Sequence, residues 1–217
     1  MYKNVIFDLD GTLLNTLEDL AAATNWVCAL HGWPAHTVEE YKYFVGNGAP
    51  KLLERVAPPG TALTDELRRV TLAEFTERYN AHKEDRTTAY PGMPEAVRRL
   101  RDSGITLAVL SNKPHEAARP VVERYFPGLF HRVQGALPDV PVKPDPTLLH
   151  RLMEELGASP ADTLFVGDSS VDIRTARNGG LVSCGVLWGF RTRQELEAEG
   201  ADYIVETAQE LAELILR

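Results

Sequence analysis

Short, almost wholly apolar runs recur along the chain between longer stretches of helical periodicity. Val5-Ile6-Phe7, Thr106-Leu107-Ala108-Val109-Leu110, Thr163-Leu164-Phe165-Val166 and Val182 to Leu187 are such runs; Val133 with its neighbours is a weaker one and Tyr203-Ile204-Val205 a short last one. Continuous apolarity, as opposed to strict alternation, is what strands covered on both faces show. Helical patterns over Met93 to Arg101, Pro114 to Tyr125, Pro146 to Leu156 and Ser170 to Asn178 lie between them, and glycines at 104, 157 and 179–180 supply stops. Strand and helix in repetition predict an α/β fold built on a doubly wound parallel sheet.

One stretch breaks the alternation. From Thr16 to Asp85 there is helical periodicity and no convincing strand: Leu17, Leu20, Ala21, Thr24 and Val27 fit one face, and Leu67, Val70, Phe75 and Tyr79 fit another less cleanly. The expectation is a core made of residues 1–15 and 86–217, with an all-helical cap, residues 16–85, inserted after the first strand's loop.

Charge narrows the partners. With 23 Lys and Arg against 31 Asp and Glu, the formal net charge is −8, and no basic patch offsets it. Arg98, Arg99 and Arg101 stand together, but Glu95 and Asp102 flank them. Nucleic acid is therefore not an expected partner. No apolar run approaches the roughly 20 residues a membrane span needs, and the opening residues become charged too soon for a signal peptide. Cys28 and Cys184 lie far apart in apolar stretches, which suits reduced, buried thiols. The expectation is a cytoplasmic protein, monomer or homodimer. Its six histidines show no metal-ligand spacing.

The chemistry gathers after the strands, where open α/β sheets bind ligands. Asp8-Leu9-Asp10-Gly11-Thr12-Leu13 follows the first run, Ser111-Asn112-Lys113 the second, and Gly167-Asp168-Ser169-Ser170-Val171-Asp172 the Thr163–Val166 run; Lys143-Pro144-Asp145-Pro146 precedes a helix. Each cluster alone reads as a turn or a helix cap. Four of them on one sheet edge read as a site. Several carboxylates in one crevice would raise one another's pKa values. A hard divalent cation relieves this, and Mg²⁺ suits an incomplete protein shell with room for waters and a phosphate. Lys143 and Ser111 would supply donors to a phosphoryl group. One aspartate could serve as nucleophile and a second carboxylate as acid and then base. Thr12 and Asn112, in the same clusters, are expected to contact substrate.

Those four clusters, in this order over nearly the whole chain, resemble the motifs of the haloacid dehalogenase superfamily. The resemblance implies a Rossmann-like core with a helical cap and a phosphatase working on a small phosphorylated metabolite. It implies Asp8 as nucleophile, Asp10 as general acid/base, and Ser111 with Lys143 binding the phosphoryl group. Mg²⁺ would be held by Asp8, the Asp10 backbone carbonyl and Asp168, with Asp172 in support or as an alternative ligand. An acid at position 10 favours phosphoryl transfer over dehalogenation. Val45-Gly46-Asn47-Gly48-Ala49-Pro50 is similar to the cap segment of phosphoglycolate phosphatases, which points to 2-phosphoglycolate as substrate. Backbone N–H groups of Gly46, Asn47 and Gly48 could hold a small carboxylate where a helix opens. Trp188 and Phe190 read as packing residues. The alternatives are a phosphosugar mutase like β-phosphoglucomutase, a phosphatase for another small metabolite and, outside enzymes, a phospho-acceptor signalling module. Such modules are shorter and carry the acceptor after a middle strand.

Overall fold

The computed structural model describes residues 2–217, which divide into two compact units: residues up to Asn15 together with Ala89–Arg217, and Thr16–Thr88. The first unit begins with β1 (Asn4–Phe7). The two-residue strands β2 (Leu14–Asn15) and β3 (Thr88–Ala89) pair with each other where the chain passes between the units. Four helices, α1 (Leu17–Leu30), α2 (Val38–Phe44), α3 (Ala49–Val56) and α4 (Asp65–His82), make up the second unit. The first unit then continues with α5 (Met93–Asp102), β4 (Thr106–Pro114), α6 (His115–Tyr125), β5 (Arg132–Ala136) and α7 (Thr147–Leu156). It ends with β6 (Thr163–Gly167), α8 (Ser170–Asn178), β7 (Val182–Val186), α9 (Arg193–Ala198), β8 (Tyr203–Val205) and α10 (Ala208–Leu216).

Six strands form one parallel sheet in the order β5-β4-β1-β6-β7-β8. The chain builds outward from β1 through β4 to β5, then returns to the other side of β1 for β6, β7 and β8. Such a reversal opens a crevice at the carboxyl end of the strand where it occurs, and Asp8 is the residue that follows β1.

The apolar runs lack alternation because both faces of the sheet are covered. Val5, Phe7, Leu107, Val109, Leu164 and Val166 point into a core with residues of α5, α6 and α10. The residues between them, Ile6, Ala108, Leu110 and Phe165, point the other way, against Leu148, Leu149, Leu152 and Met153 of α7 and Ala176 of α8. The helices α9 and α10 and the β2–β3 pair go beyond what the apolar pattern shows. Cys28 and Cys184 are free thiols, both buried. No helix among the described residues is long and apolar enough to cross a membrane.

In the second unit α1 buries the expected Leu17, Leu20, Ala21, Thr24 and Val27. The seam of α4 runs at a spacing of four through Thr71, Phe75 and Tyr79, leaving Val70 half-buried. Thr71 can replace an apolar residue because its hydroxyl donates to the Leu67 carbonyl of the preceding turn, 2.9 Å away. Phe75 and Tyr79 stack with ring centroids 5.4 Å apart. The least expected buried group is Asp19 of α1. Its carboxylate accepts from the backbone N–H of Arg86 (3.1 Å), the N–H of Thr87 (2.9 Å) and the Thr87 hydroxyl (2.8 Å), so it ties the start of the first helix to the segment that leaves the unit. Asp19→Ala would remove the acceptor these donors share and should cost about 2–4 kcal/mol. Hydrogen exchange should show lost protection at the amides of 86 and 87, whereas unchanged protection there would remove the role given to Asp19.

Candidate active site

The loop after β1 is fixed at both ends. The N–H of Asp8 donates to the Val166 carbonyl of β6 at 2.8 Å, which extends the sheet ladder by one residue. The Leu9 carbonyl accepts from the N–H groups of Thr12, Leu13 and Leu14, at 3.3, 3.0 and 3.0 Å, and Gly11 turns the chain at φ 95°. That positive φ is open to glycine and strained for other residues.

Asp8, Asp168 and Asp172 offer carboxylate oxygens that all lie within 4.8 Å of one another, and all three residues are buried. Lys143 keeps part of that charge balanced. Its Nζ donates to Asp8 Oδ1 at 2.8 Å and to Asp172 Oδ1 at 2.7 Å, and it lies over the Phe165 ring, 5.6 Å from the centroid. Burial pulls the lysine's pKa down, but the charges of Asp172 and Asp8 outweigh it and hold the ammonium above its ordinary value. Asp8 is pushed well up by burial and then by the Asp172 charge, against the pull of Lys143. Burial and Asp172 likewise raise Asp168 to about 7, opposed by the Phe190 N–H, Arg191 and the Thr12 hydroxyl. The set is thus short of positive charge, and buried oxygen donors of this kind suit a hard divalent cation.

The three carboxylates differ in what remains open. Asp172 is the N3 member of a capping box at α8: its Oδ2 accepts from the N–H and the hydroxyl of Ser169 at 3.1 and 2.6 Å, while its Oδ1 takes Lys143. Asp168 takes the Thr12 hydroxyl on Oδ1 (3.2 Å) and the Phe190 N–H on Oδ2 (2.7 Å). Among the described residues, Asp8 is held on Oδ1 alone.

Ser111, Asn112 and Lys113 belong to β4 itself, which runs on to Pro114 past an irregularity in its pairing with β5. The Ser111 hydroxyl accepts from the Lys113 N–H at 3.1 Å, so its own hydrogen is left to donate. Asn112 clamps the loop of Lys143: its amide donates to the Lys143 carbonyl at 3.0 Å and its Oδ1 accepts the Lys143 N–H at 2.8 Å. Asp10 stands outside the carboxylate cluster and pairs with Lys113, Nζ to Oδ1 at 2.8 Å. Lys113 and Ser169 were not anticipated as site residues. For Lys113 the signal is its place two residues after Ser111, on the same face of an extended strand.

In the second unit Gly46 and Gly48 have φ of 110° and 83°, and α3 opens at once after Gly48. Arg55 braces this loop from α3, donating to the Phe44 carbonyl at 2.7 Å and to Asn47 Oδ1 at 2.8 Å.

Two more glycines keep room for the carboxylates. A Cβ on Gly167 would lie 2.2 Å from Asp172 Cβ, and one on Gly189 would lie 2.2 Å from Asp168 Cβ. Trp188, next to Gly189, donates its indole N–H to the Thr12 carbonyl at 2.9 Å, and the Phe190 ring is buried. Gly167→Ala should therefore destabilise the protein by about 1–3 kcal/mol through overpacking and displace Asp172 from Lys143. Denaturant melts and a crystal structure of the variant would measure both; wild-type stability with Asp172 unmoved would contradict the packing account.

A family profile described as haloacid dehalogenase-like hydrolase matches residues 2–180. The phosphoglycolate phosphatase of Pseudomonas putida is 33% identical over 211 residues, spanning 95% of this chain and 77% of its own length. That of Vibrio vulnificus is 32% identical over 219 residues, spanning 99% and 96%. A solved structure from Lactobacillus delbrueckii subsp. bulgaricus, named as a candidate phosphoglycolate phosphatase, superposes with a TM-score of 0.90 at 35% identity, covering 99% of this chain and 98% of its own. With motifs, sheet order and family profile in agreement over most of its length, the chain belongs to the haloacid dehalogenase-like hydrolases.

Proposed function

We propose that the protein hydrolyses a small phosphomonoester through a phosphoryl group carried on Asp8, with 2-phosphoglycolate as the substrate. The observation that carries the chemistry is the buried set of Asp8, Asp168 and Asp172, whose oxygens lie within 4.8 Å of one another, with Lys143 bonded to Asp8. The substrate rests on the names of the Pseudomonas and Vibrio relatives and on the Gly46-Asn47-Gly48 loop, whose backbone N–H groups would take a small carboxylate. The helical unit would then act as the cap that selects the substrate.

In the first step an Asp8 carboxylate oxygen attacks phosphorus and the bond from phosphorus to the leaving oxygen breaks. Asp10 gives that oxygen a proton. In the second step Asp10 takes a proton from water, the water oxygen attacks phosphorus, and the acyl phosphate bond breaks to release inorganic phosphate and the free Asp8 carboxylate. Ser111 donates its hydroxyl hydrogen, and Lys143 its ammonium, to the phosphoryl oxygens. Asp8, Asp168 and the Asp10 backbone carbonyl would hold Mg²⁺, which when bound neutralises phosphoryl charge and orients the group. Asp172, with both oxygens already taken by Lys143 and Ser169, serves by fixing Lys143. Thr12 acts on substrate through Asp168, and Asn112 through Lys143.

Asp8→Asn should abolish release of phosphate from 2-phosphoglycolate, and chelation of divalent cations should do so reversibly, with activity restored by Mg²⁺. Appreciable activity in either condition would sink the mechanism. Asp10→Asn should slow both phosphorylation and dephosphorylation, by about 100-fold or more overall. A phosphate-release screen over small phosphorylated acids and sugars tests the substrate. Preference for a sugar phosphate, with isomerisation in place of hydrolysis, would replace the phosphatase reading with a mutase.

A further inference from the structure

Two buried lysines divide the carboxylates of the crevice. Lys143 serves Asp8 and Asp172; Lys113 serves Asp10. We propose that Lys113 is the positioning residue for Asp10, holding one carboxylate oxygen so that the other faces the leaving oxygen and, later, the attacking water. This rests on the acid/base role proposed above for Asp10.

The geometry is asymmetric in the way such a role needs. The Lys113 side chain is 3% exposed and that of Asp10 is 19% exposed, so the ammonium is the embedded partner and the carboxylate the accessible one. Lys113 is anchored by its backbone: its N–H donates to Ser111 Oγ, and β5 comes so close that a Cβ on Gly135 would lie 2.6 Å from the Lys113 carbonyl oxygen. A strand end packed closely against its neighbour is a firm base for a long side chain. Asp10, by contrast, sits in a loop directly before Gly11, and among the described residues its carboxylate has one hydrogen bond, the one from Lys113 to Oδ1. Without it, nothing among the described residues fixes the direction of that carboxylate. A buried ion pair is in general a poor source of stability compared with apolar packing. Orientation accounts for its presence better than stability does.

A positioning residue acts only through its partner, so the test is a cycle of variants. Lys113→Met, Lys113→Arg, Asp10→Asn and Lys113→Met/Asp10→Asn would be assayed on 2-phosphoglycolate and on p-nitrophenyl phosphate, with circular dichroism confirming the fold of each. Lys113→Met should lower kcat on 2-phosphoglycolate about tenfold to a hundredfold, with KM nearly unchanged. Lys113→Arg, which retains a donor, should recover part of the loss. In the Asp10→Asn background the lysine substitution should add no further loss. The proposal is overturned if the two losses multiply, or if Lys113→Met raises KM at constant kcat, since the lysine would then bind the substrate directly. It also falls if Lys113→Met matches the wild type while Asp10→Asn is impaired. Should Lys113→Met not fold, Lys113→Gln takes its place in the cycle under the same criteria. If p-nitrophenyl phosphate and 2-phosphoglycolate are both turned over normally by Asp10→Asn, the acid/base reading itself fails, which is a different outcome from a silent Lys113.

Discussion

The crevice depends on one ammonium group. Asp8, Asp168 and Asp172 are buried side by side, and three such charges repel one another too strongly to persist unaided. Lys143 bridges Asp8 and Asp172 with bonds of 2.8 and 2.7 Å and stays charged because of them. Much of the surrounding structure keeps that ammonium in place: Asn112 clamps its backbone, Ser169 turns Asp172 toward it, and Phe165 lies beneath it. Gly167 keeps the floor clear. The positive charge falls short of the negative, and burial together with the Asp172 charge pushes the pKa of Asp168 up to about 7. The remaining need for positive charge is what suits these oxygen donors to a hard divalent cation.

The sheet explains why these groups meet. Because β1 lies between β4 and β6, the residues just beyond it are flanked on one side by the Ser111–Lys113 end of β4 and on the other by the Gly167–Asp168 end of β6. Lys143, from a loop between β5 and α7, completes the set. Four segments far apart in the chain thus place their polar residues at one reversal of strand order, as the doubly wound topology requires. A chemistry that needs two carboxylates in different roles gains from this separation. Asp8 and Asp10, two residues apart, are paired with different lysines and so experience different surroundings.

Much of this was legible in the sequence because burial on both faces leaves a plain mark. The runs at Val5–Phe7, Leu107–Leu110 and Leu164–Val166 are apolar throughout since successive residues enter opposite cores. The polar clusters were legible because such residues directly after apolar runs are hard to place otherwise. What escaped notice has physical reasons too. The two-residue strands β2 and β3 are too short for any period to show. α9 has six residues, of which Leu196 is the one buried. Asp19 and Lys113 are charged side chains whose burial depends on partners distant in sequence, Arg86–Thr87 and Asp10, and a linear pattern assigns such residues to the surface. The Thr12 and Asn112 side chains, expected to contact substrate, bond to Asp168 and to the Lys143 backbone.

The central claim is that the Asp8 carboxylate takes the phosphoryl group. Rapid acid quench during turnover of 2-phosphoglycolate, followed by proteolysis and mass spectrometry of the peptide that carries Asp8, tests it most directly. A peptide heavier by one phosphoryl group, with the modification on Asp8, should form before free phosphate appears and decay at the turnover rate. A phosphoryl group found on another residue, or none at all while substrate is consumed, would contradict it.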